Sequence, residues 1–123
     1  MLVVSYNPGY QKSLRELKPS TRQRFVGLTF AYPNEDQESD IIEKESGIEN
    51  KTAKKLVKIG RKIRGLKELS LMESASTRLL IAAGMLIRGG LPARLACYSA
   101  MAEPLTDDVD ALAALKQLID ISI

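Results

Sequence analysis

No histidine and no tryptophan occur in this chain, cysteine occurs once, and aromatic side chains make up 5% of it. The lone thiol, Cys97, excludes an internal disulfide and suits a reducing cytosol. Without histidine and with one cysteine, the usual zinc sets and imidazole-based acid–base catalysis are excluded, and no metal ligands are expected. So few aromatics leave Leu, Ile, Val, Ala and Met to build the core. Long apolar runs are missing as well: the longest, Leu79 to Ile87, falls far short of the roughly 20 residues that cross a bilayer. Met1 leads straight into Leu2-Val3-Val4 with no basic region, unlike a secretory leader, so a soluble, cytoplasmic chain with no membrane partner is expected. Two further absences concern nucleotide chemistry. There is no G-x-x-x-x-G-K-[ST] phosphate loop, and no apolar run ends in paired carboxylates able to hold magnesium.

What is present suffices for one ordinary domain, because 123 residues can bury a core without covalent staples. The net charge of +3 conceals strong segregation. Residues 1–33 carry five basic and one acidic side chain, and 34–50 carry seven acidic and one basic. Residues 51–68 return to eight basic and one acidic, and the last stretch, 103–123, is acidic again at −4. Blocks of alternating sign mark solvated faces or salt-bridged neighbouring helices, so nucleic acid is not the expected partner.

Residues 2–6 are short, apolar and β-branched and stop at Asn-Pro-Gly, which predicts a buried strand. The basic segment 11–19 is expected as a short helix or loop ending at Pro19. Phe25 to Tyr32 alternates large and small residues and predicts a second strand, closed by Pro33. Everything after it reads as helix. Asn34 is placed to cap a helix to Glu45, with Glu35, Asp36 and Glu38 near its positive start and Gly47 ending it. Over 50–68, Leu56, Ile59, Ile63 and Leu66 fall on one face and Lys51, Lys54, Lys55, Lys58, Arg61 and Lys62 on the other. A helix from about Ser76 to Gly89-Gly90 is apolar almost all round, which predicts a central place in the core. Pro92 suits the first turn of a helix over 92–102. Thr106 is positioned to cap the last helix, with Val109, Leu112, Leu115, Leu118 and Ile119 inward.

Four residues draw attention as chemistry. Asn7 follows an apolar strand, where its amide could orient a water against a terminal phosphate; Asn-Pro-Gly is equally a good turn. Arg22 and Arg24 precede a segment opening with Phe25, where an arginine could reach a neighbouring subunit's triphosphate; two solvated arginines in a basic loop look the same. Arg78 lies in the first turn of an apolar helix, where a cation opposes the helix dipole, so a phosphate or a carboxylate from the Glu35/Asp36/Glu38 block is the expected partner.

Taken in order, a strand ending in Asn, an arginine before a second strand, Tyr-Pro opening an acidic helix and Ser-Thr-Arg opening an apolar one resemble the end of an AAA+ ATPase module. The stretches VVSYNPGYQ…LKPSTRQRFVGLTFAYP, ESASTRLLIAAGMLI and AEPLTDD are similar to the CbbQ/NirQ/NorQ group within the MoxR family, and the resemblance covers essentially the whole chain. It implies a mostly α fold: two short β-strands followed by the helical lid bundle of an AAA+ module. Residues 1–33 would be a remnant of the AAA+ core, holding the sensor-1 strand, the arginine-finger box and the last core strand; 34–123 would be the lid. Asn7 matches the sensor-1 asparagine, Arg24 the arginine finger with Arg22 the second arginine of its box, and Arg78 the sensor-2 arginine. The resemblance further implies hexameric rings, ATP hydrolysis with magnesium, and a partner carrying a von Willebrand factor A domain. The target would be a metalloenzyme, either Rubisco or nitric oxide reductase.

The departure from that pattern is the missing phosphate loop and magnesium-binding acids. ATP and magnesium are therefore expected in the full-length parent, with none bound to this chain alone and no ATPase activity from it. Strand 25–32 is expected to pair with 2–6, or the strands to pair across a dimer, because exposed apolar edges associate. A different class of function stays open: a small helical interaction module that binds a partner protein through the basic helix 50–68. A third is a nucleic-acid binder using the same helix.

Overall fold

In the computed structural model, residues 1–5, 18–66, 69, 71 and 73–123 are described. They divide into two units, Met1–Ala31 and Tyr32–Ile123.

In the first unit the single regular element among the described residues is α1 (Pro19–Arg22), one turn opened by a proline at its first position. The two strands expected at 2–6 and 25–32 are a correction: residues 1–5 and 26–34 have no strand structure, and residue 6 lies outside the described residues. A strand exists by pairing. Val26, Leu28 and Phe30 are 92, 80 and 89% exposed, and among the described residues no second strand takes up their backbone groups. Alternation measured the propensity of 25–32, not the presence of a neighbour for it.

The second unit is built from helices that start and stop for local reasons. Asn34 Oδ1 accepts a 2.9 Å bond from the Gln37 N–H and opens α2 (Glu35–Ser46). Gly47 closes it in the left-handed conformation, φ 74°, with its N–H bonded to the Glu43 carbonyl. α3 (Asn50–Gly65) buries Leu56, Ile59 and Ile63 and exposes its six outward cations. It ends at Gly65, three residues short of the expected 68, because Leu66 follows with a non-helical ψ of 82°; 67 and 68 lie outside the described residues.

α4 (Thr77–Arg88) packs on α2 at Gly84, where a Cβ would stand 2.6 Å from Ser46 Oγ and 2.8 Å from Ser46 Cβ. α4 also packs against α3 and the segment 93–102, the central place expected of it, although Met85 and Leu86 are exposed and the buried residues are Leu80, Ala83 and Gly84.

The single helix expected over 92–102 is two pieces, with a further turn beyond it. α5 (Ala93–Cys97) passes into a π-helical turn, Tyr98–Ala102, and then a 3₁₀ turn, Glu103–Leu105. The wider turn sets Ala100, Met101 and Ala102 consecutively into the core, and Pro104, with no N–H to give, ends the α-type run. α6 (Val109–Ser122) is capped by Asp108, whose Oδ1 accepts from the Ala111 N–H at 2.7 Å, and not by Thr106. Thr106 Oγ1 instead accepts from the Asp108 N–H, setting the cap residue itself. Leu115 and Ile119 are fully buried and Leu112 and Leu118 partly so, but Val109 faces solvent.

The core runs through Ile42, Leu56, Ile59, Ile63, Leu80, Met101, Leu115 and Ile119. Across the surface, Asp120 Oδ1 accepts from Tyr98 Oη and from Arg94 Nε (3.0 Å), tying α5 and the π turn to α6. Among the described residues no helix is long and apolar enough to cross a membrane.

A candidate functional site at the start of α4

Glu38 sits one helical turn before the buried Ile42, so the stripe that sends Ile42 into the core sends Glu38 there too. Its carboxylate is fully enclosed. Arg64, from the last turn of α3, meets it with two parallel bonds: Nη1 donates to Oε2 at 2.9 Å and Nη2 to Oε1 at 2.6 Å. The guanidinium's remaining edge is also used, since Nε donates to the Ala75 carbonyl at 2.6 Å. Thr77 Oγ1 donates to Glu38 Oε1 at 2.8 Å. The Tyr32 ring covers the guanidinium face at 3.7 Å.

Burial works against an ionised Glu38, but the bonds from Arg64 and Thr77, with the nearby charges of Arg64 and Arg61, outweigh it and hold the carboxyl below its ordinary value. No buried side-chain nitrogen or oxygen among the described residues lacks a partner, as such a cluster requires.

The result is a brace. Through Arg64 and Glu38, the acidic helix α2, Ala75 two residues before α4 and the opening threonine of α4 are held in one network. Arg78 follows Thr77 directly, so its backbone position is set by the Thr77–Glu38–Arg64 contacts. Its side chain is exposed, and it makes no hydrogen bond or ion pair among the described residues. Nor does the Ser76 side chain cap the helix. The three acids considered as partners for Arg78 are accounted for otherwise: Glu38 is taken by Arg64 and Thr77, Asp36 lies 3.9 Å from Lys54, and Glu35 makes no side-chain pair among the described residues. The arrangement offers an available cation at a positively polarised helix start.

Arg22 and Arg24 belong to the first unit and are exposed on and just after α1. The Arg24 N–H closes the turn onto the Thr21 carbonyl. Asn7 lies outside the described residues. Among the described residues no three His, Cys, Asp or Glu side chains cluster as metal ligands.

Glu38, Arg64 and Thr77 escaped sequence reasoning as a site. Glu38 read as one more acid favouring a helix start, yet its place four before Ile42 and eight before Ser46, both buried, was the signal that it points inward.

Fold and site together define a helical domain that braces an exposed arginine at the opening of an apolar helix. Residues 38–122 match the model for the CbbQ/NirQ/NorQ C-terminal family, and the chain belongs to that family. It is 53% identical over 123 residues to the denitrification regulatory protein NirQ of Pseudomonas aeruginosa, covering all of this chain and 47% of that protein. Identity is 48% over 115 residues to protein CbbQ of Hydrogenophilus thermoluteolus, covering 94% of this chain and 43% of the relative. It is also 48% over 118 residues to protein NorQ of Paracoccus denitrificans, covering 96% and 44%. The chain spans less than half the length of these curated relatives.

Proposed function

We propose that the chain is the nucleotide-responsive C-terminal part of an ATP-dependent AAA+ activator of the CbbQ/NirQ/NorQ type. The observation that carries this reading is Arg78: an exposed guanidinium, without a partner among the described residues, at a braced helix start that has no side-chain cap. Such a group fits a phosphate, which accepts from guanidinium and backbone N–H donors together. Arg78 would hold a phosphate oxygen and, through Thr77, Glu38 and Arg64, pass the presence or absence of that phosphate to α2 and α3. Arg24 would reach the nucleotide of a neighbouring copy, with Arg22 beside it in sequence. Asn7 would orient the attacking water. ATP, with magnesium, supplies the phosphoryl group whose transfer to water drives the cycle.

The missing phosphate loop means that this chain alone lacks the backbone cradle for a triphosphate and should neither retain nor hydrolyse ATP. In the parent, copies would assemble as a hexameric ring in the cytoplasm and act with a partner bearing a von Willebrand factor A domain. The target would be a metalloenzyme such as Rubisco or nitric oxide reductase. The names of the relatives, one of them a denitrification regulatory protein, support an activator role.

Calorimetric titration of magnesium-ATP tests the reading on two proteins: this chain alone, and this chain fused behind the part of the P. aeruginosa relative that it does not match. The expected result is no binding to the first and micromolar binding to the second. Micromolar binding to the isolated chain, or none to the fusion, overturns it.

A further inference from the structure

We propose that the outer face of α3, with the groove at its C-terminal end, docks an acidic amphipathic segment of a partner protein. The inference is independent of the nucleotide reading and uses a different surface.

α3 contains no acidic residue. Lys51, Lys54, Lys55, Lys58, Arg61 and Lys62 are all exposed along one side of it. The one ion pair they make among the described residues is Lys54 with Asp36, at 3.9 Å between two solvent-facing groups, too loose to satisfy the face. Arg64, the remaining arginine of the helix, is withdrawn into the Glu38 brace. Six cations thus span about 16 Å of helix with almost no internal counter-charge.

The face runs into an apolar recess. Between the end of α3 and α6 lies a groove of about 400 Å³ lined by Leu66, Leu69, Leu118 and Ile121. Lys62 belongs to both features: it lines the groove, and its Nζ donates to Ser122 Oγ at 2.9 Å across to α6. Ile121 is 77% exposed.

Charge and apolarity together choose the occupant. A purely anionic ligand would use the lysines and leave the groove open. Nucleic acid is the poorer match, because among the described residues no aromatic side chain stands on the face or in the groove for a base to stack on. A segment with two or three carboxylates followed by one or two leucine-sized residues would use both halves. Charges would steer and orient it, and the apolar anchors in the groove would supply most of the holding.

The test is fluorescence anisotropy with the full chain and a labelled helical peptide of about 14 residues bearing glutamates on one side and a terminal Leu-Leu pair. Comparison probes are the same peptide with both leucines replaced by serine, its lysine-for-glutamate counterpart, and a short DNA duplex. The proposal expects micromolar binding of the acidic leucine peptide and at least tenfold weaker binding of each comparison probe. Lys55→Glu with Lys58→Glu should weaken it at least tenfold, and so, separately, should Ile121→Glu; all three positions are exposed and none belongs to the Glu38 brace, so folding should be unaffected. Unchanged binding in either variant, equal binding of the serine peptide, or tighter binding of the duplex would overturn the proposal.

Discussion

Replacing Arg64 with alanine is the sharpest perturbation of the brace. It removes both bonds to Glu38 and leaves a fully enclosed carboxylate with the Thr77 hydroxyl alone. Removing one partner of a buried ion pair costs about 3–5 kcal/mol, chiefly the penalty of the charge left behind. A domain of this size has about 5–15 kcal/mol in total, and each kcal/mol moves the midpoint by about 4–8 °C, so a loss of about 12–40 °C is expected. The pH dependence gives the argument its second arm. In the variant Glu38 keeps its burial but loses its main counter-charge, so its carboxyl should rise above the ordinary 4.5. A raised carboxyl favours the folded state below the unfolded value and loses that benefit as pH rises, so the deficit relative to wild type should shrink from pH 7 towards pH 4.5. Thermal and urea melts followed by circular dichroism at both pH values read this out. Glu38→Leu combined with Arg64→Met should recover most of the loss, because no charge then remains buried. A deficit under about 1 kcal/mol, or one that does not change with pH, would refute the reasoning.

The intact chain should respond to acid in the opposite sense: Glu38 lies below its ordinary value of 4.5, so its contribution is complete above that pH and is lost as pH falls through the lowered value, visible as a falling melting midpoint in acid. Gly84→Ala should cost about 1–3 kcal/mol in urea unfolding, since its Cβ meets the Cβ of Ser46 and not merely a mobile tip. Gly60→Ala, which meets only the Leu80 methyl ends at 2.9–3.0 Å, should cost less. Burial pushes the Cys97 thiol up to about 11, so the folded protein should not react with a disulfide reagent at about pH 8 but should do so in denaturant; rapid labelling of native protein would contradict this. Val109→Ala should change stability by less than about 0.5 kcal/mol, because that side chain faces solvent.

Much of the helical unit could be read from the chain because its signals are local. The Asn34 cap, the Gly47 stop and the lysine-lined face of α3 depend on residues within a few positions of one another. The segments expected as strands failed for the complementary reason. Pairing is non-local, and Val26, Leu28 and Phe30 have the alternation of a strand without, among the described residues, a partner for one. The π turn at Tyr98–Ala102 was hidden because what distinguishes it from an α turn is its backbone bonding, the Glu103 N–H reaching the Tyr98 carbonyl five residues back, which no side-chain pattern announces. Within the candidate site, Arg78 drew attention through its odd place in an apolar helix. The brace beneath it did not, since Glu38, Arg64 and Thr77 are 26 and 39 residues apart in pairs that no periodicity links. The family emerged from ordered strings of residues, a signal that needs no physical model of the fold.

The most direct test of the account is the ATP hydrolysis rate of the fusion with the unmatched part of the P. aeruginosa relative, compared between wild type and Arg78→Ala under saturating magnesium-ATP. If Arg78 contacts a phosphate in the reacting state, the variant should lose at least about tenfold in rate, equal to about 1.4 kcal/mol, with its melting temperature unchanged. An Arg78→Ala fusion that hydrolyses ATP as fast as wild type would contradict the claim that this helical domain reads the nucleotide through its braced arginine.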